Sequence, residues 1–278
     1  MSARTAMLGA LVLAGCVSAC GKGAAPSSAD AAAAAPSSSA SAPPSRIAAL
    51  RRAELQRDPA AVTDDDLASP AIEVRRAASR AVARAEDPRQ ADRLLPLLAD
   101  SDHEVLSWAA FGLGGTCQAN RDRIVRALVA RSLSLALEAP APPASLDPWF
   151  AIARALGACG TQEAERSLDA WLELDRSRAE SAAFGLGDIA TRHKRLEEES
   201  AAQLLRAASG DAARDPLDEA FFPFGRLRIQ PPRAVEQELQ IARTRLDHAA
   251  AARVFVVRTL ARLGDDAVDD LARVLTTP

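Results

Sequence analysis

One pattern recurs along this chain and leaves its fold little freedom. Ser69–Arg75 and Ser101–Leu106 both place Glu-Val shortly after a Ser or Asp, and both open an alanine-rich stretch. An apolar residue followed by glycine then recurs at Leu113-Gly114, Leu156-Gly157, Leu186-Gly187, Phe224-Gly225 and Leu263-Gly264, at intervals of 43, 30, 38 and 39 residues. Apolar residues between these marks fall at helical spacing. No stretch alternates apolar and polar as a half-buried strand does. Such a period corresponds to one helix pair per repeat, a unit too small to bury its apolar face without a stacked neighbour. The expected fold is all-α, an α-solenoid of about five to six helix pairs.

Local signals mark the helix ends. Asp58-Pro59, Ser69-Pro70, Asp87-Pro88 and Asp147-Pro148 offer a side-chain oxygen as N-cap and a proline at the first helical position. Each glycine of the apolar–Gly pairs is expected just past a helix end, in the left-handed region where a side chain would clash. Second helices are expected over 89–99, 121–137, 162–174, 196–208, 233–245 and 265–275. The segment Phe221-Phe222-Pro223-Phe224 departs from the pattern, and the register from Phe221 to Pro232 is open.

Ahead of the repeats the texture differs. Met1–Gly15 has one basic residue, Arg4, then an apolar run through Ala14 that is about half of the ~20 residues a spanning helix needs. It ends in Leu13-Ala14-Gly15-Cys16, which resembles a bacterial lipoprotein signal. That resemblance implies cleavage before Cys16 and lipid on its thiol, with Cys20 in Val17-Ser18-Ala19-Cys20 as the alternative. It also implies delivery to the outer membrane facing the periplasm, because Val17 rather than aspartate follows the cysteine. An ordinary signal peptide is the competing reading. Residues 16–45 are alanine, serine and proline with almost nothing large and apolar, so they read as a disordered linker between the 1–15 signal and a 46–278 solenoid.

From Arg46 to Leu275 the pattern resembles HEAT repeats. Ile72-Glu73-Val74-Arg75-Arg76-Ala77-Ala78 and Ala182-Ala183-Phe184-Gly185-Leu186-Gly187-Asp188 carry the resemblance. The region Arg46 to Gly114 also looks like the HEAT segment that precedes a cyclophilin-type peptidyl-prolyl isomerase domain in some bacterial lipoproteins. That family's Phe-His-Arg segment has no counterpart, since Phe224-Gly225-Arg226 lacks the histidine, and its catalytic domain is not expected in this chain. A HEAT-like tetrapyrrole lyase is a third resemblance, against which export and the missing lone reactive cysteine weigh. The expected function is a non-catalytic protein-binding scaffold on a lipid anchor.

Few residues suggest chemistry. Cys117 and Cys159 each follow an apolar–Gly pair in consecutive repeats; in an exported chain they suggest a disulfide, with two buried thiols as the other reading. His103, His193 and His248 are scattered, and neither Cys-X-X-Cys nor a histidine pair suggests a metal. No nucleophile elbow, zinc-protease motif or phosphate loop is present, so neither catalytic residue nor cofactor is assigned. A net charge of −3 argues against nucleic acid. Trp108, Trp149 and Trp171 read as core fillers, or else as hot spots for a protein partner. The charged residues of the second helices (Arg121, Arg123 and Arg126, Glu163, Glu165 and Arg166, Lys194 to Glu199) read as a solvated face, or else as a polar partner groove.

Overall fold

The computed structural model describes residues 44–138, 146–211, 214–227, 232–246 and 253–276, all within the unit Ser39–Pro278. The signal, Cys16, Cys20, most of the linker and His248 lie outside the described residues. Among those described there are helices, 3-10 turns and loops, and no strand.

Two rows of helices are stacked layer on layer. The first row is α1 (Pro44–Gln56), α3 (Ile72–Arg84), α5 (His103–Thr116), α7 (Pro148–Cys159), α9 (Arg176–His193), α11 (Phe221–Phe224) and α13 (Arg253–Leu263). Each packs on the next. The second row is α2 (Asp64–Leu67), α4 (Ala91–Leu94) with its 3-10 extension Leu95–Ala99, α6 (Arg121–Leu135), α8 (Gln162–Trp171), α10 (Glu198–Ser209), α12 (Pro232–Leu246) and α14 (Val268–Thr276). From α3 to α14 this makes six helix pairs, with α1 and α2 ahead of them. The expected α-solenoid is what the chain forms. The departure at Phe221 is a first helix cut to one turn. Phe221 and Phe224 fill the core from it, and α11 still packs against α9 and α13.

A single core runs through the stack, lined mostly by alanine and leucine. Capping follows the sequence at most starts. Asp102, Asp147, Thr161 and Asp175 accept backbone N–H bonds at the starts of α5, α7, α8 and α9. Asp58 and Asp87 do the same for short 3-10 turns. Ser69 does not cap a helix: its hydroxyl accepts from Ala71 N–H in a turn, and α3 begins at Ile72 without a side-chain cap. Arginines then tie α3 to the residues that lead into α5. Arg76 makes two bonds, of 2.9 and 2.7 Å, to the capping carboxylate of Asp102, and Arg75 reaches Asp100 at 2.8 Å. Burial pushes the Asp102 carboxyl up, but the Arg76 bonds and the Val105 N–H outweigh it and leave the group below its ordinary value.

The glycines of the apolar–Gly pairs require a correction. Gly114, Gly157 and Gly187 lie inside α5, α7 and α9 and do not end them. The left-handed glycines are Gly160, Gly210 and Gly264, with φ of 61°, 67° and 70°. Gly160 and Gly210 end α7 and α10; of the five pairs, only Leu263-Gly264 marks a terminus of the expected kind. The interior glycines instead set how closely the first-row helices approach. A Cβ on Gly114 would stand 2.9 Å from the Ala155 Cα, and one on Gly185 would stand 2.6 Å from the Ala153 carbonyl oxygen. Where backbones meet this closely, only a hydrogen fits at Cα.

Candidate functional site

The first row buries its alanines and glycines together with Phe221 and Phe224, and a second set of phenylalanines runs across it from layer to layer. Phe150 on α7, Phe184 on α9, Phe222 on α11 and Phe255 on α13 form a ladder of edge-to-face contacts. Centroids are 5.5 Å apart for Phe150–Phe184, 4.9 Å for Phe184–Phe222 and 5.2 Å for Phe222–Phe255. These are favourable aromatic geometries, worth about 0.5–1.5 kcal/mol each beyond burial. The interior glycines permit the ladder, because a side chain at Gly187 would occupy the space of the Phe222 ring. Exposure along the ladder is uneven: Phe150 keeps 36% of its surface in solvent, Phe184 and Phe255 are half-buried and Phe222 is buried, while Val254, next to Phe255 in the chain, keeps 58%. A second aromatic pair lies on α5, where Trp108 meets Phe111 at 5.8 Å and Phe111 is 48% exposed.

Arginines line this aromatic face. The Arg154 guanidinium lies 5.6 Å from the Phe150 centroid and is paired with Asp188 on α9. Arg226 stacks 3.5 Å from the Phe222 centroid and donates to the Phe222 carbonyl at 2.9 Å. Arg258 lies along Gly225, on which a Cβ would come within 2.9 Å of its Cγ. Burial lowers the Arg226 guanidinium from its ordinary value; Arg258 and Arg154 add repulsion, and Asp188 opposes it. Asp188 is thus the carboxylate set among three cations.

Sequence reasoning missed this arrangement, although a signal was present. Phe150, Phe184, Phe222 and Phe255 follow one another at 34, 38 and 33 residues, one per layer. A charged residue stands four places on at Arg154, Asp188 and Arg226, one helical turn away on the same face for the first two and in the turn just past α11 for the third.

The residues singled out from sequence are placed as follows. The Cys117 and Cys159 sulfurs lie at disulfide distance with Cα atoms 5.4 Å apart, joining the C-terminal ends of α5 and α7, and both residues are buried. Trp171 is buried and Trp149 packs edge-on against it at 4.9 Å, while Trp108 is half-buried beside the core. The core-filler reading therefore holds best for Trp171. His103 lies 3.7 Å from Glu138, His193 is exposed, and the structure does not bring the two together.

The solvated-face reading fails at Glu165. That residue and Asp169, both on α8, are buried against the start of α10. Glu165 accepts the Glu197 N–H at 2.7 Å, serving as a cap supplied by the preceding layer, and Asp169 accepts from the Ser200 hydroxyl at 2.7 Å. Negative charge at a helix N-terminus is favourable. The second Asp169 oxygen, however, has no partner, and burial pushes this carboxyl up to about 6, with Glu165 and Glu199 adding repulsion and the Ser200 bond opposing.

A folded-state value above the unfolded one means that stability is present at acid pH and is lost as pH rises through about 6. Asp169→Asn should therefore stabilise the chain at pH 8 by on the order of 2 kcal/mol and change little at pH 4. Chemical denaturation across that range tests this. An unchanged pH slope in the variant would count against the buried charge. Asp66, held by Arg46 down at about 2, acts in the opposite sense in a separate, more acid window.

No protein-family model matches the chain, and no curated protein matches it. Among solved structures, one engineered protein is 18% identical, over 76% of this chain and 60% of its own, with a TM-score of 0.41. A second engineered protein is 18% identical over 72% of this chain and 94% of its own, with a TM-score of 0.41. The CpcE–CpcF complex of phycocyanin lyase from Nostoc is 20% identical over 83% of this chain and 78% of its own, also with a TM-score of 0.41. The chain thus spans less than two thirds of the first of these.

Proposed function

We propose that this chain is an exported, lipid-anchored repeat protein that binds a protein partner on the aromatic face of its first-helix row and performs no chemistry of its own. The observation that carries this reading is the Phe150–Phe184–Phe222–Phe255 ladder, which opens to solvent at Phe150. A file of rings that crosses four layers, reaches solvent at Phe150 and is bordered by arginine has the composition of an interface. Stacked helix pairs supply an extended surface for such use. The anchor rests on the Leu13–Cys16 motif, which assigns the lipid to Cys16 and the location to the outer membrane, facing the periplasm. Cys20 is the alternative site.

Two measurements test the reading. A photo-cross-linking residue at Val254 or Phe150 should give adducts of discrete mass in intact cells, while one at the exposed Leu133 on α6 should give none. Equal yield at all three positions would remove the assignment to this face. The intact mass of protein extracted from membranes should correspond to an acylated chain starting at Cys16, and Cys16→Ser should abolish that form. A chain of the same length without acyl groups would point to an ordinary signal peptide.

A further inference from the structure

Three cations stand on the aromatic face with one carboxylate among them. Arg154 comes from α7, Arg226 from the turn that follows α11 and Arg258 from α13, and Asp188 is already held by Arg154. Among the described residues neither Arg226 nor Arg258 has a carboxylate within 4.0 Å. In the same stack Arg75, Arg76, Arg243, Arg245 and Arg262 each close onto an Asp or Glu of another element. What marks Arg226 and Arg258 is their place beside the phenylalanine ladder, Arg226 on the Phe222 ring and Arg258 along Gly225. Arg226 is also rigid, since its guanidinium is stacked on Phe222 and tied to that residue's carbonyl, so little rotamer freedom remains to be lost on binding.

We propose that Arg226 and Arg258, with Phe222 and Phe255 beside them, form the anchor for an acidic and apolar segment of the partner protein, a peptide carrying carboxylates next to a large apolar side chain. This rests on the aromatic face being the partner surface and adds what that surface selects. An arginine fork matches a carboxylate through two parallel bonds, and the rings supply the desolvated neighbourhood in which such a bond is strong. A neutral apolar peptide would leave both guanidinium groups facing it unpaired, and a basic one would be repelled.

The test is selection of random twelve-residue peptides on the full chain in detergent, followed by binding measurements with the selected peptides. Peptides rich in Asp or Glu beside Phe or Leu are expected, with Kd rising at least tenfold in Arg258→Glu and in Arg226→Gln. Arg258 is exposed on α13, so its reversal is the variant that keeps the fold, and an unchanged melting temperature checks this. Kd should also rise with salt, since the pairs are partly exposed. Selected peptides without acidic enrichment, yet lost in Phe150→Ser, would overturn the charge assignment and leave the aromatic surface standing. Peptides indifferent to Phe150→Ser as well as to Arg258→Glu would overturn both. Preferential binding of an oligothymidylate probe over the acidic peptides would replace the partner class and overturn the proposal.

Discussion

Cys117→Ser should lower the stability of the oxidised protein by about 4 kcal/mol, the largest single loss expected from one atom in this chain. The bond would close a loop with a sequence separation of 42 residues. Loop-closure entropy for that length gives about 4 kcal/mol through restriction of the unfolded chain. The loop holds all of α6 and all of α7, so it fastens two adjacent layers at the middle of the stack. Because stability in stacked repeats is a sum of layer and interface terms, the loss should fall on the α5–α7 boundary first and broaden the transition there. For a domain of this size the shift is roughly 10 °C in melting temperature. Reduction of the native protein should reproduce the variant, and the variant should then be insensitive to reductant. Alkylation gives the independent reading: without reductant both thiols should resist labelling even in denaturant. Equal melting of oxidised, reduced and substituted protein would show that the two cysteines serve only as small buried groups.

How far the sequence revealed this molecule differs from feature to feature. The helix pairs were legible because helical periodicity is local and alanine-rich stretches punctuated at 30–43 residues admit few other folds. The closeness of Cys117 and Cys159 was legible for a related reason: consecutive layers stack in register, so equivalent positions in neighbouring repeats become neighbours in space. The role of Gly114, Gly157 and Gly187 was not legible. An apolar–Gly pair satisfies a helix end and a helix crossing equally well, and only the distance between backbones decides which it is. The burial of Glu165 escaped for the same kind of reason. On its own helix it sits among charged residues, and what buries it is the start of α10, some thirty residues on.

The aromatic face lies between these cases. Its residues recur one per layer at nearly constant spacing, a signal that composition hides because aromatics make up only 4% of the chain. What the sequence cannot supply is direction. The same Phe period would serve an inward core ladder, and the side the rings take is set by the glycines and alanines that fill the space between first-row helices. The aromatic ladder and the close backbone packing thus have one origin.

That common origin predicts a loss of about 3 kcal/mol from a single methyl group. In Gly157→Ala the new Cβ would fall on the Gly185 carbonyl oxygen, and no side chain can rotate to relieve it, because the obstructing atom is backbone. Overpacking of this kind costs about 1–3 kcal/mol where side chains can shift, and more where they cannot. Alanine's higher helix propensity returns at most about 1 kcal/mol. Gly115→Ala on α5 is the control, since that position is exposed and the added Cβ would meet the Glu86 side chain at an ordinary 3.6 Å. It should be neutral or stabilising by up to about 1 kcal/mol. The two substitutions are chemically identical and both lie within first-row helices, so their opposite signs would isolate backbone approach as the cause. Gly157→Ala should also spread the α7–α9 contact and disturb the Phe150–Phe184 pair, which near-ultraviolet circular dichroism or partner cross-linking at Phe150 would register. If both glycines instead respond alike, the helices of the first row are not in close contact and the aromatic ladder needs another explanation.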